Sequence, residues 1–599
     1  MRIANSAAVG LLAAIALPDC AAAKPYVVDS KNKVSYQGVT TSPGVETFSG
    51  IRYGLDTSGE GRFAPPQPFK PKSGTHFNAT APGPSCPQTS GGGFSYQTNV
   101  TYISEDCLNL NLGRPSFAKP GSKLPVMAYI YGGGLNTGTA SERTTAPDGL
   151  IKQSVEAGEP VIYVGMNYRL NIPSSDSHLA DLESVFGFAT SEALRGNKSL
   201  NVGLRDQRLA LEWIQENIEL FGGDPDKVTI YGQSSGGLSV GMQVLAYGNS
   251  KPIPFSAAIM ESTALEPTMA SSISFNTTTA VANLAGCNNT DSQSPEVIAC
   301  LRSLSMESLL DFTIQTIDST SSNNDGDVFL PTVDQDFLPE KATKLLADGK
   351  FPKIPVMAGW QEDDATLFTS TAIETANDTK NFISLYYSNL TSTTLTDLLS
   401  LYPSSSFAAN PSANLSSEFY RTAQIFRDIL LTCPSFLFVS SMAKKYNTTS
   451  PPTYLFSGNQ TILTSYLDAV GSPGLGVIHT SELAYLFSDL DLFNVTDLNL
   501  PGYTFAPTES DYALAKSLPR SWISFGKSGK PSKGNGTLPG WTSAFPYGKG
   551  DGEVYVIGGG DNGMSQVTAN GTNPALVKQR LGERCGFLNS PEVIEQLLY

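Results

Sequence analysis

The sequence predicts an α/β fold, a large and mostly parallel sheet flanked by helices. Three observations lead there: short apolar runs prone to β structure, helical patterns between them, and turn residues separating the two. In chain order the runs are "VMAYIYGGG" (126–134), "PVIYVGMNYRL" (160–170), "KVTIYG" (227–232), "FSAAIMES" (255–262), "IPVMAGW" (354–360) and "TYLFSGN" (453–459). Several are apolar at successive positions, so both faces must be covered, as in strands buried between helices. The clearest helix is "RDQRLALEWIQENIELFGG", where Leu211, Ile214, Ile218 and Phe221 recur at three- and four-residue steps on one face. Gly222-Gly223 stops it, and Asp224-Pro225 opens a loop. The stretches 265–350 and 366–450 are rich in Ser and Thr and weakly patterned. They read as helical or looped insertions decorating one sheet domain over residues 24–599.

Composition narrows the partners. A net charge of -16 argues against nucleic acid and against anionic membrane surfaces. Residues 1–23 read as a signal peptide: Arg2, an apolar run from Ala7 to Leu17, then Ala21-Ala22-Ala23 before Lys24. The C-terminus "EVIEQLLY" lacks the apolar tail of a lipid-anchor signal, so no stable membrane anchor is expected. Beyond the signal lie six cysteines, Cys86, Cys107, Cys287, Cys300, Cys433 and Cys585, an even number that suits an oxidising compartment. Six thiols allow about 15 connectivities. The closely spaced pairs Cys86–Cys107 and Cys287–Cys300 would close short loops, and Cys433 and Cys585 remain. Thirteen N-x-S/T sites, from Asn78 to Asn570, add the expectation of N-linked glycans on a secreted, extracellular protein.

Two overlapping G-x-S-x-G patterns stand in "GQSSGGLSVG". A nucleophile elbow needs a strand, an abrupt turn and a helix, so that the serine oxygen projects at the sheet edge. Ser234 meets that requirement, because Val228–Tyr231 is a β-prone run ending at Gly232. Ser239 lies within the segment that reads as the following helix, and its glycines read as packing residues. A serine hydroxyl needs a base. Elbows of this kind are followed along the chain by the acid and then the histidine. Of His76, His178 and His479, only His479 follows Ser234. The acid falls among Glu362, Asp363 and Asp364 after the "IPVMAGW" run, and spacing leaves the choice open. Gly132-Gly133-Gly134, after an apolar strand, can present backbone N–H groups to an oxyanion. No Lys-Ser/Thr follows the glycines, which disfavours a phosphate loop. No Cys/His spacing suggests a metal, and the chemistry calls for no cofactor.

At this point the chain resembles the type-B carboxylesterase/lipase family of the α/β-hydrolase fold, in its secreted fungal form. The resemblance rests on "FSGIRYG…GRFAPPQP" (48–68), "SEDCLNLNLGRP" (104–115) and "GLRDQRLALEWIQENIELFGGDPDKVTIYGQSSGG" (203–237). It implies Ser234 as nucleophile and His479 as general base. The family's "G-x-N-x-D-E-G" segment lies on "GWQEDDA" (359–365), which puts the acid on Asp364 with Asp363 as the fallback. It implies oxyanion donors at Gly133, Gly134 and Ser235, a supporting serine at Ser262, and disulfides Cys86–Cys107 and Cys287–Cys300. Departures are Gln233 for the usual Glu, Ser235 for the usual Ala, Leu135 for a common aromatic, and an extra segment at 173–185 expected to be a surface loop. The implied activity is hydrolysis of small-molecule or lipid esters. A triacylglycerol lipase is the nearest alternative. However, the Cys86–Cys107 loop, "PQTSGGGFSYQTNVTYISED", lacks the apolar stripe of an amphipathic lid, which favours an esterase. An inactive adhesion or binding module is disfavoured by the intact Ser, acid and His.

Overall fold

The computed structural model describes residues 24–89, 94–170, 185–320, 328–446, 452–548 and 550–599. The expected signal peptide, His178, Asn447 and nearly all of the 173–185 segment lie outside them. Three strands, β1 (Tyr26–Asp29), β2 (Val34–Gln37) and β5 (His76–Asn78), form a small N-terminal sheet. The remaining eleven form one large sheet: β3 (Val39–Ser42), β4 (Val45–Arg52), β6 (Asn109–Pro115), β7 (Leu124–Ile130), β8 (Ile162–Met166), β9 (Gly223–Gln233), β10 (Ala257–Glu261), β11 (Val356–Gln361), β12 (Thr453–Gly458), β13 (Glu553–Ile557) and β14 (Gly563–Gln566). Their spatial order is β14-β13-β12-β11-β10-β9-β7-β8-β6-β4-β3. From β8 across to β13 neighbours run parallel, and antiparallel strands finish both edges.

All six strand runs expected from the sequence are present. Strands β7, β8, β10 and β11 are almost wholly buried, as doubly covered parallel strands must be. Strand β9 begins earlier than expected: Leu124 pairs with Gly223 and Val126 with Val228, so the Asp224-Pro225 segment bulges inside the strand instead of preceding it. The edge strands β3, β4, β6, β13 and β14 are additions. The helix before β9 spans Val202–Asn217, continues as a 3-10 turn over Ile218–Phe221, and ends at Gly222 with φ 97°. Its apolar stripe, Leu211, Ile214, Ile218 and Phe221, is fully buried. Among the described residues the two weakly patterned stretches hold four α-helices each, joined by loops, in line with the expectation of helical or looped insertions. The stretch Ser417–Tyr446 is long and apolar enough to cross a bilayer, yet 78% of that window is buried inside the fold.

The sequence signatures meet one another as buried ion pairs. Arg62 of "GRFAPPQP" donates to both carboxylate oxygens of Glu105 in "SEDCLNL", at 2.7 and 2.6 Å. Arg169 of "NYRL" grips Asp206 of "RDQ" through Nε at 2.8 Å and Nη2 at 2.7 Å. Burial pushes the Asp206 carboxyl up, against the pull of Arg169. Covalent ties add to this. Disulfides join Cys86–Cys107, Cys287–Cys300 and also Cys433–Cys585, the pair that the sequence left over. Asp206→Ala would strand a buried guanidinium, so chemical denaturation should show a loss of about 3–5 kcal/mol. Breaking the exposed Lys344–Asp348 pair should leave the midpoint unchanged.

Candidate active site

Strand β9 delivers Ser234 to the site. The chain turns at that residue with φ 59° and ψ −134°, and the helix Ser235–Leu245 follows at once. This sparsely populated conformation costs about 1–3 kcal/mol and is held by the surrounding backbone. Ser234 N–H donates to the Glu261 carbonyl at 2.8 Å, tying the turn to the end of β10. Gly132 lies against the turn so closely that a Cβ there would stand 2.3 Å from the Gln233 carbonyl oxygen and 2.7 Å from Ser234 Cβ. Ser239 is different. It is buried inside the helix, accepting a 3.0 Å hydrogen bond from Gln207. Gly237 and Gly241 let that helix rest on the carbonyls of Thr263 and Ala264.

Asp364 and His479 meet. Asp364 sits in the turn after β11, fully buried, with Oδ1 2.6 Å from His479 Nδ1. Its other oxygen accepts the Gln361 N–H at 2.8 Å, which aims the carboxylate. Phe368 packs edge-on to the imidazole at 5.0 Å. Asp363 takes a different role: it accepts the Val477 N–H at 2.9 Å and returns its own N–H to the Val477 carbonyl at 3.1 Å. It braces the loop that carries His479. Of the three carboxylates the sequence left open, only Asp364 touches the imidazole. Glu362 is pushed up to about 7, chiefly by burial and then by Asp363.

The other imidazole nitrogen faces Gln233. With Asp364 holding the Nδ1 proton, Nε2 keeps its lone pair, and the Gln233 amide nitrogen stands 3.1 Å from it. Ser234 Oγ makes no hydrogen bond to the imidazole among the described residues. Bonds of this kind often tighten only when substrate is bound. The family resemblance put position 233 close to the imidazole; Phe368 was not read from the sequence.

Two further acids lie behind Asp364. Glu261 ends β10, accepts the Trp522 indole N–H at 2.7 Å, and is pushed up to about 8 by burial. Glu482, three residues after His479, is pushed well above the usual carboxylate range, first by burial and then by Glu261 and Asp364. The shift favours the uncharged form of Glu482, which eases the crowding of buried negative charge around Asp364. A lone acid within an apolar strand run was the available signal for Glu261. Ser262 follows Glu261, buried, between the strand of Ser234 and the strand leading to Asp364; its N–H donates to the Gly359 carbonyl at 2.8 Å.

Facing the elbow is the turn after β7. Gly133 and Gly134 have φ 106° and 61°. Their N–H groups, and that of Ser235 in the first helical turn, donate no hydrogen bond among the described residues. The side chain of Ser235 accepts the Leu135 N–H at 2.9 Å. His76 lies far along the fold, exposed in the small N-terminal sheet and bonded to Ser35. Among the described residues no group of three or more His, Cys, Asp and Glu side chains could hold a metal ion.

Residues 94–98 of the Cys86–Cys107 loop are pinned to their surroundings. Phe94 stacks on Tyr96 at 5.1 Å, and Tyr96 contacts Tyr466 and Phe493 at 5.1 and 5.0 Å. Tyr466 hydroxyl accepts the Ser95 N–H at 3.1 Å, and Glu142 accepts that of Thr98 at 2.9 Å.

An elbow at the carboxyl end of a parallel strand, with an acid and a histidine from later strand ends, defines an α/β-hydrolase. The sequence profile of the carboxylesterase family matches residues 33–572. A secreted lipase of Arthroderma benhamiae is 42% identical over 97% of each chain. The inactive carboxylesterase-like protein VdtD of Byssochlamys spectabilis is 36% identical over 95% of this chain and 94% of its own. The crystal structure of Aspergillus niger EstA superposes with a TM-score of 0.75 at 25% identity, covering 96% of this chain and 99% of EstA. The chain belongs to the carboxylesterase family and is a carboxylic ester hydrolase.

Two outcomes separate the acids. Asp364→Asn should lower kcat by about 10³-fold or more, because the amide can no longer hold the Nδ1 proton. Asp363→Asn should cost much less in the same ester assay. For Glu261, the folded state keeps a proton between about pH 4.5 and about 8 that the unfolded chain gives up. Its contribution therefore erodes as pH rises through that window. Denaturation midpoints at pH 5 and pH 8 should show a smaller loss for Glu261→Gln than for the parent protein.

Proposed function

We propose that this protein is a secreted serine ester hydrolase, one catalytic domain over residues 24–599, working through an acyl-enzyme on Ser234. The observation that carries the reading is the 2.6 Å pairing of buried Asp364 with His479 beside the strained Ser234 turn. His479 Nε2 takes the Ser234 proton as Oγ attacks the ester carbonyl, once the seryl hydroxyl replaces the Gln233 amide at that nitrogen. The N–H groups of Gly133, Gly134 and Ser235 hold the oxyanion, and Asp364 steadies the imidazolium. The imidazolium then protonates the leaving alcohol, and water repeats the sequence to release the acid. Three disulfides and relatives named as secreted support export. Exposed asparagines such as Asn99, Asn276 and Asn389 support N-glycosylation; Asn459 and Asn494 are half-buried and are poorer acceptors.

The relatives named as lipases favour a second reading, activity on triacylglycerols. Against an interfacial lid stands the aromatic pinning of residues 94–98 in the Cys86–Cys107 loop. Ser234→Ala should reduce turnover of a short soluble ester by at least about 10³-fold; unchanged turnover would overturn the mechanism and favour an inactive module. In the same preparation, activity should rise smoothly through the solubility limit of a triglyceride. An abrupt jump at the emulsion would select the lipase reading.

A further inference from the structure

The serine beside the proposed nucleophile does more than lend its backbone. We infer that the Ser235 side chain is a positioning group that sets the glycine turn of the oxyanion hole, an inference that rests on the reading of Ser234, Gly133 and Gly134 given above. The turn runs from Tyr131 to Leu135, and three successive residues, Gly133, Gly134 and Leu135, have φ of 106°, 61° and 63°. The last is a leucine in a left-handed conformation that suits glycine, so its geometry needs an outside hold. That hold is Ser235 Oγ, which accepts the Leu135 N–H at 2.9 Å with both residues buried.

A second link fastens the other end of the turn. Tyr168, buried, fastens that end. It donates to the Tyr131 carbonyl at 2.8 Å, and its ring stacks on that of Tyr131 at 4.6 Å. Ser235 at Leu135 and Tyr168 at Tyr131 thus hold the two ends of the turn, on either side of the glycines. Ser235 also contributes its own N–H from the start of the helix. One residue therefore supplies one oxyanion donor directly and fixes the frame of the other two. Alanine at this position would keep the donor and lose the strut.

The test is Ser235→Ala, with Tyr168→Phe as a second variant that leaves every backbone donor and the strut to Leu135 in place. Expected for Ser235→Ala is a fall in kcat of about tenfold with KM within about twofold, since misplaced donors act on the transition state. Affinity for a trifluoromethyl ketone, whose tetrahedral adduct uses the same donors, should fall in parallel, with the melting temperature retained. Tyr168→Phe should move both quantities in the same direction by a smaller factor. Unchanged kcat in Ser235→Ala, or a loss of kcat without loss of ketone affinity, overturns the inference. Should Ser235→Ala not fold, Ser235→Gly, which also removes the Oγ acceptor, decides: parent-like kcat and ketone affinity overturn it. Ser234→Ala keeps the two readings apart. If that variant is active, the serine mechanism itself fails. If it is dead while Ser235→Ala matches the parent, only the strut fails.

Discussion

The register of three neighbouring parallel strands governs the site. Glu261 of β10 pairs with Gln233 of β9 on one side and with Gly359 of β11 on the other. All three strands therefore end at one edge, and the turns that follow them carry Ser234, Ser262 and Asp364 to the same place. A slip of one residue in either ladder would send alternate side chains to the opposite face and separate these groups. The backbone enforces the arrangement: Ser234 N–H reaches across to the Glu261 carbonyl, and Ser262 N–H to that of Gly359. The strain at Ser234 is bearable because those contacts leave the chain no other path.

Behind that edge the protein handles an excess of acid. Asp364, Glu261 and Glu482 share one buried region, and three ionised carboxylates there would repel strongly. Burial favours the uncharged forms of Glu482 and Glu261, the Trp522 indole N–H donates to Glu261, and the imidazole is left to Asp364. The departure at Gln233 fits this balance. A neutral amide beside Nε2 adds no further negative charge, and it offers a donor to that nitrogen.

The two departures around Ser234 act in different directions. Gln233 points to the His479 imidazole, and Ser235 points to the glycine turn, so the residues flanking Ser234 connect it to both. Neither effect is visible in the pattern G-x-S-x-G, which specifies a turn and not what its neighbours touch.

By itself the sequence determined the strand runs, the buried face of the helix before β9, the elbow at Ser234 and the exclusion of Ser239. Each depends on contacts a few residues apart, where side-chain periodicity and turn chemistry decide. It also singled out His479 by chain order. The edge strands were not legible, since β4, β6 and β13 take their place from pairing across long separations. Spacing left Asp363 and Asp364 open and the family resemblance favoured Asp364; the tertiary structure shows that Asp364 meets His479 and Asp363 the Val477 backbone, because adjacent residues in a turn point to different sides. It alone placed Gln233 on Nε2, Ser235 on Leu135 and Cys433 on Cys585, since each contact joins segments that only the packed sheet brings together.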